Sequence, residues 1–457
     1  MQFTETVEKY QEEMIKSTKE LINIRSVEES PRENMPFGEG VDQALKYVLN
    51  LGQELGFKVE NIDNYAGHID YGAGEEIIGV LVHLDVVPEG DGWTYPPYGS
   101  VVENGKIYGR GAIDNKGPAI ASLYAMKALK DSGLSIKKKI RIILGTNEET
   151  NWKGIDYYLK KVKAPDMAFV PDANFPVIQG EKGILIFDLE KKLAQKEGSR
   201  LKIKGGNAPN MVPDSCEASI QLSKSDQEVY QKRLSEVKEA KIEFKENELI
   251  IKTTGISAHG STPEAGLNAI SLMMTVLGEL PLEGEAKEFV DLYNGKIGMG
   301  YHGENIGCAL QDEVSGKLVF NVGMIDLDES KVKLTVNIRY PISYDSKRVY
   351  TGIQEKLKGT GLEITPLEEK LPIYLPEDHE LVQKLMAVYR EQTRDMESKP
   401  LVIGGGTYAR ALKNAVAFGA LFMGEEEVAH QKDEYIKIET LTKCAKIYAH
   451  AMYELAK

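Results

Sequence analysis

The stretch IIGVLVHLDVVPEG, residues 77–90, places a histidine and an aspartate at the end of an apolar run. The run is uninterrupted and rich in β-branched residues, which is typical of a strand that is buried on both faces of a parallel sheet. His83 and Asp85 lie two residues apart, and residues i and i+2 of an extended segment share one face. A lone histidine here is more often a structural residue, but a carboxylate partner makes His83 a candidate metal ligand.

Apolar runs alternate with helical patterns through the first 175 residues. The predicted elements are helices near 4–24, 40–55 and 117–131 and strands near 57–62, 77–83 and 139–145. This alternation predicts an α/β fold with a mixed, largely parallel sheet flanked by helices. Ligands of such sheets bind at the carboxyl ends of the strands, so polar residues at those ends are candidate site residues.

The middle of the chain has a different pattern, with alternating strands such as ELIIKTTGIS (248–257) and KVKLTVNIRYP (331–341) between helices. After it come a helical segment, the apolar run AVAFGALF and a helix near 438–456. A chain of 457 residues is also too long for a single core. We therefore predict an inserted α+β domain in two parts at 182–375, and a discontinuous catalytic domain formed by 1–181 and 376–457.

Composition excludes several classes of partner. A net charge of −14 without a dominant basic stretch argues against nucleic acid, which requires clustered Lys and Arg. No apolar run reaches the 18 residues of a membrane span. The three cysteines stand far apart without CxxC spacing, which is typical of a reducing compartment. We expect a soluble, cytoplasmic protein that binds neither nucleic acid nor membrane.

Four further segments bring acidic or imidazole side chains to the ends of predicted strands or to a helix start. YGRGAIDNKG delivers Asp114, IRIILGTNEET delivers Glu148 and Glu149, AFVPD delivers Asp172, and LFMGEEEVAH delivers His430. Each segment alone has an ordinary explanation as a turn, a cap or an acidic loop. Their repetition at the same edge of the predicted sheet favours a shared site.

The candidate ligands are therefore His83, Asp114, Glu149, Asp172 and His430. A mixed set of imidazole and carboxylate groups suits zinc, manganese or cobalt. Five ligands spread over the chain are most simply arranged around two ions that share one carboxylate. Glu148 points away from its neighbour in extended backbone and is then available as a general base.

The order of these segments resembles a known family. H-x-D, G-R-G-x-x-D-x-K-G, E-E, P-D, a mid-chain SAHGSTPEAGLNA and a late histidine are similar to the co-catalytic dinuclear zinc metallopeptidases. That family includes carboxypeptidase G, acetylornithine deacetylase, succinyl-diaminopimelate desuccinylase and bacterial dipeptidases. GDGWTYPPYG, NMVPD and GGGTYARAL are most similar to the dipeptidase V branch (PepV, Xaa-His dipeptidase).

The resemblance implies two divalent ions per chain, zinc in the first place and manganese or cobalt as alternatives. The implied ligands are His83 and Asp172 for one ion and Glu149 and His430 for the other, with Asp114 shared. Asp85 supports His83, and Glu148 accepts a proton from the water between the metals as it attacks the scissile carbonyl. The bond between Asp114 and Asn115 is expected to be cis.

The resemblance also implies that the inserted domain is a lid, from which His259 in SAHGSTPE stabilises the oxyanion of the intermediate. The implied substrate-binding residues are Asn210, Arg339, Gly404, Gly405 and Gly406, the last four for a terminal carboxylate. From the residues alone, His259 is better explained as a loop residue beside the helix start at Thr262, and Asn210 as a turn residue. The glycines have an alternative explanation as a flexible connector, and Arg339 as an exposed strand residue.

The predicted function is metal-dependent hydrolysis of unblocked dipeptides by a monomer, in which the enlarged lid replaces a dimer partner. One alternative is an N-acyl amino acid deacylase or desuccinylase, which would use the same ligands. Another is a metal-binding protein without activity, but a structural metal site does not require a free base such as Glu148.

Overall fold

The computed structural model describes residues 2–193, 200–222, 224–234 and 240–457, which form two compact units. The first unit comprises Met1–Gln179, Leu375–Leu401 and Gly406–Lys457, and the second comprises Gly180–Tyr374 and Val402–Gly405. The boundaries predicted from the sequence lie within two residues of these at the first crossing and within one at the second. Residues 402–405 are grouped with the second unit, although the prediction placed them in the first.

The α-helices of the described residues are, in chain order, α1 (Gln2–Lys9), α2 (Gln11–Ile22), α3 (Glu39–Glu54), α4 (Lys116–Asp131), α5 (Lys153–Lys161), α6 (Lys224–Leu234), α7 (Ala269–Gly278), α8 (Gly284–Lys296), α9 (Ser346–Leu357), α10 (Glu380–Thr393) and α11 (Ile438–Ala456). Short 3-10 helices cover Pro263–Ala265 and Tyr408–Ala411. In the part of the chain that is described, no helix combines the length and apolar character that crossing a bilayer requires.

The strands are β1 (Lys58–Ile62), β2 (Ala66–Tyr71), β3 (Ile77–His83), β4 (Val101–Glu103), β5 (Lys106–Tyr108), β6 (Lys139–Gly145), β7 (Met167–Val170), β8 (Ala173–Asn174), β9 (Ile178–Glu181), β10 (Gly183–Lys192), β11 (Leu201–Gly205), β12 (Ser215–Gln221), β13 (Ala240–Lys245), β14 (Glu248–Thr254), β15 (Gln311–Asp312), β16 (Gly316–Lys317), β17 (Val319–Leu327), β18 (Lys331–Tyr340), β19 (Glu363–Lys370), β20 (Ile373–Tyr374), β21 (Leu401–Ile403), β22 (Ala415–Ala417), β23 (Ala420–Leu421) and β24 (Tyr435–Lys437).

The main sheet of the first unit runs in the order β1-β2-β6-β3-β7-β22-β9. Its centre is parallel, because β3 pairs with β6 and β7, and β7 pairs with β22, all in the same direction. The flanking pairs, β1 with β2, β2 with β6 and β22 with β9, are antiparallel. The predicted α/β class with a mixed sheet and flanking helices is confirmed.

Burial on both faces of the sheet explains why polar and apolar residues do not alternate in residues 77–83. Every residue of β3 is buried, and so is every residue of β6 after the first. The helix α4 is buried along almost its whole length, where it packs against β3, β6 and α11. These central strands end at the same edge of the sheet because they are parallel. The sequence after each of them is therefore delivered to one place.

The second unit is built on one eight-stranded antiparallel sheet in the order β13-β14-β12-β11-β17-β18-β10-β19. Its apolar face packs with α7, α8 and α9 into a core of its own. The strands expected in ELIIKTTGIS and KVKLTVNIRYP are β14 and β18. The predicted division of this unit into two parts stays a prediction.

Two local predictions are wrong. The helix expected near 4–24 is interrupted at Tyr10, which separates α1 from α2. The run AVAFGALF is not one strand, because Gly419 at φ +79° and a cis Gly419–Ala420 bond separate β22 from β23. A Cβ atom on Gly419 would lie only 2.3 Å from the ring of Phe175, so a larger residue would clash there. His430 lies eight residues after this run, in the loop between β23 and β24.

We expect Gly145→Ala to destabilise the first unit by about 1–3 kcal/mol, the usual cost of overpacking. A Cβ at Gly145 would lie 2.4 Å from the fully buried ring of Tyr408, which has no room to move aside. The matched control is Gly295→Ala in α8, where a Cβ meets nothing within 4 Å and helix propensity improves. Urea unfolding of both variants measures the difference. Equal stabilities would contradict the tight contact between Gly145 and Tyr408.

Candidate metal centre

Neighbouring parallel strands bring three of the predicted ligands to one edge of the sheet. His83 is the last residue of β3, Glu149 follows β6, and Asp172 follows β7. The register of β3 with β6 pairs His83 with Gly145, so the loop that carries Glu149 starts beside the imidazole. The opening stretch of sequence therefore places its histidine where parallel sheets bind ligands.

Asp114 stands between the two histidines. Its Oδ1 lies 2.9 Å from Nε2 of His83, and its Oδ2 lies 2.9 Å from Nε2 of His430. Glu149 Oε1 is 3.1 Å from the same nitrogen of His430, and Asp172 Oδ2 is 3.7 Å from that of His83. One carboxylate thus faces two imidazoles with different oxygen atoms, which is the arrangement that a bridging ligand requires.

The donor atoms form two groups that share Asp114. The groups are His83, Asp114 and Asp172, and Asp114, Glu149 and His430, and within each group the donor atoms lie within 4.8 Å of one another. The grouping is the same as the pairing that the family resemblance implied. Imidazole nitrogen and carboxylate oxygen in this proportion suit zinc, manganese or cobalt.

The charge of the region fits divalent cations. Carboxylates outnumber the two imidazoles, since the region contains Asp85, Asp114, Glu148, Glu149 and Asp172. Two buried cations nearby in the chain are already engaged. Lys116 donates to the carbonyl of Ile24 over 2.6 Å, and Arg110 is ion-paired with Glu434 over 2.7 Å. Two divalent ions would balance the remaining negative charge, because buried charges are tolerated when they are paired or coordinate metal.

The pKa values of the clustered side chains are shifted by burial and by the charges of their neighbours. Burial and the Asp114 carboxylate raise the pKa of Glu149 to about 7. Burial opposes the charged form of His430, but hydrogen bonds to Asp114 and Glu149 raise its pKa to about 11. For Asp114, burial is outweighed by the hydrogen bonds to His430 and His83, which lower its pKa. Metal ions would compete with these protons for the same oxygen and nitrogen atoms.

Glu148 belongs to neither ligand group, although it is next to Glu149. Burial raises the pKa of Glu148 well above its usual value, and the carboxylates of Asp172 and Glu149 act in the same direction. Its backbone is fixed, because its N–H donates to Asp85 and its carbonyl accepts from the indole of Trp152 over 2.8 Å. A carboxylate with a raised pKa beside a metal site has the character of a general base.

Asp85 makes contacts beyond the predicted support of His83. The Nδ1 atom of His83 lies 3.0 Å from the backbone oxygen of Asp85 and 3.6 Å from its carboxylate, so the imidazole is oriented mainly by the carbonyl. The Asp85 carboxylate accepts the backbone N–H groups of Glu148 and Glu149, both at 3.0 Å. The side chain therefore fixes the loop of the two glutamates, as well as supporting His83 from a longer distance.

Asn115 was not identified from the sequence. Its Nδ2 donates to Asp172 Oδ1 over 3.2 Å and to the carbonyl of Pro171 over 2.6 Å, and its Oδ1 accepts the N–H of His83 over 3.3 Å. The bond between Asp114 and Asn115 is cis, as the resemblance implied. The asparagine thereby connects three ligand-bearing segments. The only available sequence signal was its position directly after Asp114.

Two predicted residues of the second unit lie on adjacent segments. Met211 and His259 form an isolated bridge, and the N–H of Gly260 donates to the carbonyl of Asn210 over 2.7 Å. The His259 imidazole is exposed and its Nδ1 lies 2.6 Å from the Ser261 hydroxyl.

Arg339 and the glycine segment are also in contact within the second unit. Arg339 Nη1 donates to the carbonyl of Gly404 over 3.0 Å, and a Cβ on Gly404 would lie 2.8 Å from Ser261 Cβ. Arg339 is 4% exposed, so the alternative of an exposed strand arginine is wrong. Gly405 also belongs to this unit, whereas Gly406 opens the last segment of the first unit, just before the 3-10 helix Tyr408–Ala411.

Comparison with known proteins identifies the family. The sequence matches the profile of Peptidase family M20/M25/M40 over residues 79–454. It is 40% identical over 458 residues to "Putative dipeptidase YtjP" of Bacillus subtilis strain 168, with 98% of each chain covered. The fold is similar to human carnosine dipeptidase 1, with a TM-score of 0.60 at 14% identity over 99% of this chain and 98% of the other. It is also similar to the M20 metallo-carboxypeptidase Sso-CP2 of Sulfolobus solfataricus, with a TM-score of 0.57 at 17% identity over 97% and 99%. The chain is a peptide-bond hydrolase that belongs to Peptidase family M20/M25/M40.

Proposed function

We propose that the chain is a dinuclear metallo-dipeptidase that cleaves the peptide bond of unblocked dipeptides. The observation that carries the proposal is Asp114, whose two oxygens face His83 and His430 at 2.9 Å each. The name of the Bacillus subtilis relative supports a dipeptide substrate. Zinc is the proposed metal, with manganese or cobalt as alternatives that the same ligands accept.

In the proposed reaction the residues divide into ligands and a base. Two bound divalent ions would polarise the scissile carbonyl and lower the pKa of the attacking water. Glu148 takes the proton from that water and later returns it to the leaving amine. Asp85 holds the backbone of Glu148 while the proton is transferred.

The remaining assignments are proposals at the level of single residues. His259 is proposed to donate to the carbonyl oxygen as negative charge develops on it, a contribution that is worth about 2.7–4 kcal/mol per donor in other enzymes. Asn210, Arg339 and the glycines 404–406 are proposed to bind the substrate, and the chain is proposed to act as a monomer.

The test is a substrate panel of unblocked dipeptides and N-acetylated amino acids. The chain is stripped with a chelator, and turnover is measured with and without added Zn²⁺ or Mn²⁺. We expect metal-dependent cleavage of the unblocked dipeptides and none of the acylated compounds. Cleavage of the acylated compounds only would assign the chain to the N-acyl amino acid deacylases, which share the ligands. No cleavage with either metal would contradict both activities.

A further inference from the structure

We propose that Arg110 and Glu434 are positioning residues that fix the backbone of the shared ligand Asp114 relative to that of the ligand His430. Neither residue belongs to the ligand groups. The inference rests on the proposed function, since it assumes that these two ligands bind metal. It concerns the segments that the ligands come from, which are more than 300 residues apart in the chain.

His430 needs an external constraint. Its side chain is 53% exposed and its backbone has φ +64°, a conformation that non-glycine residues seldom adopt without support. It lies in the loop between β23 and β24, outside any helix or strand. A ligand on such a loop is placed accurately only if other groups fix the backbone on both sides of it.

Arg110 supplies that constraint through its guanidinium. Nη2 donates to the carbonyl of His430 over 3.3 Å, and Nη1 donates to the carbonyl of Gln431 over 3.2 Å. Nη2 also reaches the carbonyls of Pro88 and Glu89, at 3.4 and 3.3 Å. These last residues belong to the segment that follows His83 and Asp85. One side chain therefore connects the loops that carry ligands of both groups.

Glu434 acts on the other ligand. Its Oε1 accepts the backbone N–H groups of Ile113 and Asp114, at 3.0 and 3.2 Å, while its Oε2 is ion-paired with Arg110 at 2.7 Å. Both partners of the pair are buried, with side-chain exposures of 2% and 0%. The buried Glu434 carboxylate thus fixes the backbone of Asp114 by accepting the N–H groups of Ile113 and Asp114.

The strand ladder explains how the pair forms. β24 pairs with β5, with Tyr435 opposite Tyr108, and the N–H of Gly109 donates to the carbonyl of Glu434 over 2.8 Å. Glu434 directly precedes Tyr435, and Arg110 follows Tyr108 by two residues. The antiparallel register of this small sheet therefore sets the distance between the loops of Asp114 and His430. The ion pair of Arg110 and Glu434 adds a second connection between the same two segments.

The chain offers a matched control in Arg141 and Asp70. This pair is also an arginine and a carboxylate with little exposure, 7% and 13%, joined by two hydrogen bonds of 2.7 and 2.8 Å. It links β6 to β2 within the same unit. Arg141 lies near the start of β6, whereas the candidate ligand Glu149 follows the end of that strand. Replacing either arginine by lysine keeps the charge but loses the planar fork of donors.

The experiment compares R110K, E434Q and R141K with the wild-type chain. Thermal unfolding of the metal-free proteins measures the structural cost, and Zn²⁺ titration against a competing chelator measures the affinity of each ion. We expect comparable losses of stability in all three variants. In R110K and E434Q, but not in R141K, we expect the affinity for one of the two Zn²⁺ ions to fall about 10–100-fold. Losses of this size are usual when a group that hydrogen-bonds to a metal ligand is replaced. Activity of these two variants should recover at raised Zn²⁺ concentration.

The outcomes separate the two proposals. A wild-type chain that binds no Zn²⁺ would contradict the proposed function itself. A wild-type chain that binds two Zn²⁺, with unchanged affinities in both R110K and E434Q, would overturn the positioning role alone. An equal loss of Zn²⁺ affinity in R141K would also overturn it, because the effect would then follow stability and not position. If R110K does not fold, E434Q alone decides, since it preserves the size of the side chain.

Discussion

Glu148→Gln is expected to lower kcat for an unblocked dipeptide by about 10²–10⁴-fold, the range attributed to a positioned general base. The amide keeps the shape of the side chain but cannot accept the proton of the attacking water. Both metal ions should remain, because Glu148 belongs to neither ligand group. Steady-state kinetics together with metal analysis of the same sample measure both quantities.

The adjacent residue provides the control for this variant. Glu149→Gln replaces a side chain whose Oε1 lies 3.1 Å from His430 Nε2, so it should weaken the binding of one ion. Activity of Glu149→Gln should rise when metal is added in excess, whereas that of Glu148→Gln should not. If Glu148→Gln retained wild-type kcat, or lost metal as Glu149→Gln does, the role of Glu148 as the base would be wrong.

Asp114→Asn is expected to remove the shared ligand and to affect both ions. An asparagine has one carbonyl oxygen and an amide nitrogen that does not bind metal, so it cannot face His83 and His430 with an acceptor on each side. We expect the affinity for both ions to fall, for one of them by about 100-fold or more, above the loss seen for outer partners. Zn²⁺ titration and turnover at saturating metal measure the effect.

Asp172→Asn is the comparison for Asp114→Asn. Asp172 belongs to only one ligand group, with Oδ2 3.7 Å from His83 Nε2. Its replacement should weaken one ion and leave the ion of Glu149 and His430 at its wild-type affinity. If Asp114→Asn affected no more than one ion, just as Asp172→Asn does, Asp114 would be an ordinary ligand of one ion and the bridge would be contradicted.

Much of the site was predictable because parallel strands deliver their ends to one place. His83 is the last residue of β3, and Glu149 and Asp172 follow β6 and β7, the two neighbours of β3 in the parallel part of the sheet. Apolar runs without alternation identify such strands in the sequence. Polar residues directly after them are then candidates for the same site, whatever their separation along the chain.

His430 shows where that reasoning ends. It was selected because it comes after an apolar strand-like run, but it lies eight residues beyond that run, in the loop between β23 and β24. Its backbone carbonyl accepts a hydrogen bond from Arg110, which is paired in turn with Glu434, 324 residues away, and neither contact has a local signal in the sequence. The orientation of Asp85 was also not predictable, because its best partners are backbone N–H groups of a loop from another strand.

The most direct measurement is a titration of the chelator-stripped wild-type chain with Zn²⁺, in which bound metal and hydrolysis of an unblocked dipeptide are followed on the same samples. Two ligand groups that share Asp114 predict two ions per chain, with full activity reached only when both are bound. A single bound ion per chain at full activity, or activity that does not depend on added metal, would contradict the dinuclear site.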